Sequence, residues 1–208
     1  MFFGISFLLT SCKTSHVNSV EEYNKWMNDP ENGLVKTKKI KGLTVSVKYL
    51  PAAYLIYKEL GETDYSEKDR DSLKKAYERS LTFLMTIAPD KEKGNKNDIM
   101  LEGIVNYKDY SERLLTLNFE LDKNVTLKSD NLELKPVLSA LENTYGLSKS
   151  RSITFVFAPD IKEMEMLKNA KTLDFVYIDE LFQLGILHFN FNNEKLKELP
   201  VVEYEQKE

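Results

Sequence analysis

A chain of 208 residues with 29 Lys and Arg against 33 Asp and Glu carries a net charge of −4, without the basic surplus that a nucleic-acid partner demands. Its 42% hydrophobic and 30% charged residues are ordinary for a globular body, and a chain of this size buries about 70% of its unfolded surface without a metal or disulfide staple. The single cysteine excludes a disulfide framework.

The chain opens on Phe2-Phe3-Gly4-Ile5-Ser6-Phe7-Leu8-Leu9, with no charged side chain. That run is shorter than the ~20 residues of a membrane-spanning helix, but it matches the apolar centre of a secretory signal, and Thr10 and Ser11 supply the small residues expected at a cleavage point. Leu9-Thr10-Ser11-Cys12 resembles the lipobox of bacterial lipoproteins: a branched aliphatic residue, two small ones, then a thiol. The resemblance covers the first twelve residues or so and implies cleavage between Ser11 and Cys12, diacylglyceryl transfer to the Cys12 sulfur and, usually, N-acylation. Among neutral side chains the thiol is the nucleophile suited to that alkylation. The leader departs from the usual pattern in having no Lys or Arg, so the Met1 amino group is its one positive charge. The competing reading keeps residues 1 to 11 as a buried apolar strand or helix and Cys12 as a core thiol.

The lipoprotein resemblance further implies a lipid bilayer as the partner of acylated Cys12. Lys13, where Asp would stand in an inner-membrane lipoprotein, implies delivery to the outer membrane. With no acidic run after Cys12, the body is expected to face the periplasm.

Residues 12 to 19 are polar and unpatterned after Cys12, the character of a tether, and residues 20 to 208 are expected to form a single β-rich domain. Ser19 and Glu22 make a capping box that starts a helix over Val20 to Met27. Leu43, Val45, Val47 and Tyr49 alternate with polar residues as a strand, paired with residues 34 to 40 through a Lys41-Gly42 turn. Pro51 and Gly61 bracket a helix, and a charged surface helix runs from Ser66 to Arg79. Leu81, Phe83, Met85 and Ile87 form a strand apolar enough to be central, followed by a polar loop over residues 89 to 97.

Asp98 can cap a helix through about Tyr110. Leu115, Leu117, Phe119 and Leu121 alternate most cleanly of all and predict a strand; the segments 125–127 and 132–134 then flank Ser129-Asp130-Asn131 as a hairpin. Residues 137 to 145 fit strand or helix. Strands are expected over 153–158, 173–178 and 186–191, a short helix over 160–170 and a helical turn before Pro200, with a frayed acidic end at Glu203 to Glu208. These elements predict a mainly β chain with helical insertions, an α+β body built on an antiparallel β-sandwich, with an immunoglobulin-like arrangement as its finer expectation.

Catalytic patterns are missing: no G-x-S-x-G elbow, no Gly-rich phosphate loop and too few ligand-type residues together for a zinc site, so no catalytic residue, metal or cofactor is assigned. His16 falls in the tether and His188 on the outer face of its strand. Asp174, Asp179 and Glu180 are close in sequence; Asp179 reads most simply as the cap of the turn over residues 179–185, and a carboxylate pair such as Asp174 and Asp179 defines an alternative, a membrane-tethered hydrolase. Lys36, Lys38, Lys39, Lys41 and Lys48 either meet anionic head groups or guard an edge strand. Asn124-Val125-Thr126 is a glycosylation-type triplet read as incidental. The aromatic strands through Phe155, Phe157, Phe175, Tyr177, Phe189 and Phe191 read as core. The functional expectation is an envelope lipoprotein whose body binds or scaffolds an envelope partner, with a protein-recognition module of immunity or adhesion type as a further alternative.

Overall fold

The computed structural model of the chain describes residues 15–61, 66–94, 97–144 and 147–202. The lipobox, with Ser11 and Cys12, and the acidic end at 203–208 lie outside the described residues. Helix takes 38% and strand 34% of them, an α+β body whose sheets are mostly antiparallel.

In chain order the elements are β1 (His16–Val17), α1 (Val20–Asn28), β2 (Val35–Ile40), β3 (Leu43–Leu50), α2 (Ala52–Leu60), α3 (Glu67–Tyr77), β4 (Leu81–Pro89), α4 (Tyr107–Phe119), β5 (Val125–Ser129), β6 (Leu132–Leu134), β7 (Leu138–Leu141), β8 (Arg151–Phe157), α5 (Ile161–Asn169), β9 (Thr172–Asp179), β10 (Gly185–Asn192), α6 (Asn193–Lys197) and β11 (Val201–Val202). One antiparallel sheet has the order β2-β3-β4-β8-β7, the other β10-β9-β5-β6. The expected Lys41-Gly42 turn joins β2 to β3 with both residues at positive φ, 48° and 78°, the two-residue hairpin geometry that matches strand twist.

Alternation puts Val45, Val47, Phe83, Met85, Ile87, Ile153 and Phe155 on the inner face of the first sheet, all 0% exposed. Leu127, Phe175, Tyr177, Phe189 and Phe191 line the inner face of the second at 0–1%. The two faces meet through Phe83, whose ring centroid lies 5.4 Å from those of both Phe175 and Phe191. Each such buried ring contributes about 1.5–3 kcal/mol by leaving water. The aromatic strands are core, as expected.

Strand direction gives the body two distinct ends. β3 finishes at Leu50, opposite Thr82 near the start of β4, and α2 and α3 join them there. β8 finishes at Phe157 opposite Leu81; α5 follows it and leads to the start of β9, and α6 follows the end of β10. This helical end also receives the chain: β1 pairs in parallel with β11, and the Val201 amide donates to the Ser15 carbonyl at 2.9 Å. The opposite end carries the 41–42 and 180–184 turns, tied by the Lys41 ammonium donating to the Gln183 carbonyl. The start of the loop after β4 and residues 147–150 before β8 lie there too.

Three expectations are corrected. The tether drawn over residues 12 to 19 is too long, because His16–Val17 is a strand with Val17 3% exposed, a pairing with residues nearly two hundred positions away that no local pattern announces. The helix drawn from Asp98 to Tyr110 is only a 3-10 turn at Ile99–Leu101, because Gly103 at φ 67° breaks the run, and α4 starts afresh behind the Asn106 cap. The strand drawn over Leu115 to Leu121 is the C-terminal half of α4 and the turn behind it. Its alternation arises from two interleaved i,i+4 pairs: Leu117 and Leu121 face the core at 0% and 1% exposure, whereas Leu115 and Phe119 face outward. The ambiguous segment 137–145 contains strand β7, paired with β8.

Candidate functional site

His188 sits on the outer face of β10, as its alternation predicts, half-exposed, with Nδ1 2.7 Å from the Asp174 carboxylate. Asp179 does not join them: it is five residues from Asp174, on the opposite face of β9 and ~16 Å along the strand. Asp179 is instead a structural cap. Buried to 5%, it accepts the Tyr177 hydroxyl at 2.6 Å and the amides of Leu181, Phe182 and Leu184 at 2.7–3.3 Å, which folds the 180–184 turn. Burial and then the Asp179 charge push the Tyr177 hydroxyl far above its ordinary pKa, so it stays a donor. The carboxylate pair on which a hydrolase reading would rest is therefore not brought together.

The five lysines do not form one patch. Lys36 and Lys38 occupy inner-face positions of edge strand β2, their ammonium groups 6.0 and 5.9 Å from the rings of Phe191 and Phe189 on edge strand β10. Inward charge of this kind blocks strand addition at an edge. Lys39 pairs with Glu92 at 2.5 Å, which raises its pKa, and Lys48 donates to Asn24 at 3.2 Å. The Asn124 side chain is used internally, donating to the Ile178 carbonyl at 3.1 Å. Among the described residues no group of His, Cys, Asp and Glu is placed to hold a metal, and no helix is long and apolar enough to cross a membrane. The surface hollow between the 130–131 turn and α5, lined by Asp130, Asn131, Lys162, Glu165, Met166 and Ala170, is open to solvent and of mixed character.

What sequence reasoning missed lies at the end opposite α2, α3, α5 and α6. α4 is stitched there by Arg113, which is 8% exposed, donates to the Ile99 carbonyl at 2.8 Å and lies 4.7 Å over the Phe182 ring of the 180–184 turn. Ile99 in turn donates from its amide to Lys149 at 3.1 Å, so three connections form one rigid platform. With Arg113 and Leu117 turned inward, large apolar side chains are left open on α4, where Tyr107 is 82% exposed, Phe119 73% and Leu115 56% with Leu114 beside them, and ahead of it, where Val105 is 89% and Leu101 61% exposed. A helix apolar on both sides is normally covered on both. The signal was present in the order Leu114-Leu115-Thr116-Leu117-Asn118-Phe119, which places large apolar groups all round a helix, but it shows only once the segment is taken as helical.

No family model matches the chain, and neither does any curated protein. A solved structure of a novel protein of unknown function from Burkholderia pseudomallei is similar at 12% identity, with 87% of this chain and 95% of that one covered and a TM-score of 0.37.

Proposed function

We propose that the chain is a lipid-anchored envelope protein whose folded body is a binding or scaffold module, held by acylated Cys12 and delivered to the periplasmic face of the outer membrane. The observation that carries this is Leu9-Thr10-Ser11-Cys12 after an uncharged apolar leader. The geometry of the body fits such an anchor. From Cys12 to Ser15 there are three residue steps, roughly 11 Å fully extended, so an anchored body keeps its helical end against the bilayer. The α4 platform is then the end that faces away.

A protein-recognition role is the reading of that module favoured by the exposed apolar face of α4, since contiguous apolar patches on soluble bodies mark contact sites. The strand order supports the finer fold reading as well. The sequences β3-β4-β8-β7 and β6-β5-β9-β10 follow the A-B-E-D and C′-C-F-G connectivity of an immunoglobulin-like sandwich, with β2 added at the edge. α4 then occupies the B–C connection beside the F–G turn, the end at which variable domains carry their recognition loops. That parallel is an analogy of fold, not of chemistry.

Metabolic labelling with palmitate tests the anchor. The expected result is label and membrane partitioning in the unsubstituted chain and neither in Cys12→Ser; a Cys12→Ser chain that partitions to the membrane as before overturns the proposal.

A further inference from the structure

The outward face of α4 is amphipathic in a self-complementary way. Successive turns present Lys108, Ser111 with Glu112, Leu115 and Phe119, and the large apolar groups lie at the two extremes: Leu115 and Phe119 toward the C-terminus, Leu101, Val105 and Tyr107 at and before the N-terminus. Ser111 is the small residue at the middle. Lys108 and Glu112 form an ion pair at 3.7 Å with both side chains well exposed, so neither charge is engaged by the body.

We propose that a second copy of this chain docks on this face, its α4 antiparallel to the first, about a two-fold axis near Ser111. An axis there sets Lys108 of each copy beside Glu112 of the other, so two intrahelical pairs become one ring of four alternating charges. The same axis turns Leu115 and Phe119 of each copy toward the start of its mate's α4, where Tyr107 and, ahead of the helix, Val105 and Leu101 stand exposed, and the antiparallel helix dipoles attract. The open surface of these apolar residues is on the order of 800 Å², which is what one partner gives up in a standard-size interface. The proposal rests on taking the α4 end as a contact surface and names its occupant; it does not depend on acylation of Cys12.

The test is a cross-link at the axis, in the full chain purified in detergent from whole cells. Oxidation of Ser111→Cys should convert most of the protein to a covalent dimer, and trypsin should release the linked Asp109–Arg113 peptides, which distinguishes the bond from any at Cys12. In the chain without added cysteine, sedimentation should show a dimer whose dissociation constant rises about tenfold or more in Lys108→Glu or in Glu112→Lys and returns to within about threefold when both changes are combined. A monomeric unsubstituted chain with native circular dichroism overturns the proposal, as does a charge swap that fails to restore the dimer. Protection of Leu115 by bilayer or by a different protein, without self-association, overturns it too. A monomer that still carries palmitate on Cys12 sinks the dimer and leaves the anchor standing; a dimer without palmitate does the reverse.

Discussion

Leu81 to Ile87 and Leu115 to Leu121 show the same alternation of apolar residues, yet the first is strand β4 and the second ends helix α4. In β4 the alternate residues share one face, and Phe83, Met85 and Ile87 are all 0% exposed between two sheets. In α4 the same spacing splits them into two pairs 200° apart, Leu117 with Leu121 inward and Leu115 with Phe119 outward. Alternation reports a strand only where neighbouring strands exist to accept it. β4 has β3 and β8 on either side, whereas α4 has the Asn106 cap accepting the Asp109 amide at 3.1 Å and runs on without a Gly or Pro to Phe119. The split also has a functional consequence, because it places large apolar side chains on the surface of the end opposite α2, α3, α5 and α6.

The contrast is broken most sharply in β4. Phe83→Ala is expected to cost about 3–5 kcal/mol in denaturant unfolding, since Phe83 touches Tyr49, Phe157, Phe175 and Phe191 at once. In α4, Leu117→Ala should cost about 2–5 kcal/mol whereas Leu115→Ala, measured at protein concentrations low enough to keep the chain monomeric, should stay within about 0.5 kcal/mol. Equal losses at Leu115 and Leu117 would instead mean that both lie on one buried face, as in a strand.

Alkali probes the same core through Tyr49, which burial beside Phe83 pushes up to about 12 from its usual value near 10. The folded state therefore favours the protonated phenol. Its stabilising contribution is complete below pH 10 and is lost as pH rises from 10 through 12, by about 2–3 kcal/mol in total. Absorbance at 295 nm should show an ionisation near pH 12 that shrinks by one tyrosine in Tyr49→Phe, and the same substitution should flatten the fall in stability over that window. The smallest structural effect is at the start of α4: Asn106→Ala should cost about 1 kcal/mol, and a neutral outcome would mean that the Asn106 side chain does not hold the helix start.

Much of the scaffold was legible because its signals are local. Alternation at residues 43–49, 173–178 and 186–191, the Ser19-x-x-Glu22 cap and the Lys41-Gly42 turn each report a conformation set by near neighbours. Asp179 was legible as a cap for the same reason, since its partners lie within five residues. The pairing of His16–Val17 with Val201–Val202 was not, nor was the stacking of Arg113 on Phe182. Both depend on residues brought together only after the sheets have formed.

The amino-acid order alone determined which residues are apolar and at what period, and hence most strands, most helices and the aromatic core. It also contains Leu9-Thr10-Ser11-Cys12, the segment on which the proposed lipid anchor rests and which is visible without any fold. Tertiary structure decided that residues 107–119 are helix and which half of their apolar residues the core takes up. A helix capping one end of two sheets can bury only one side of itself, so the remaining apolar groups stay on the surface.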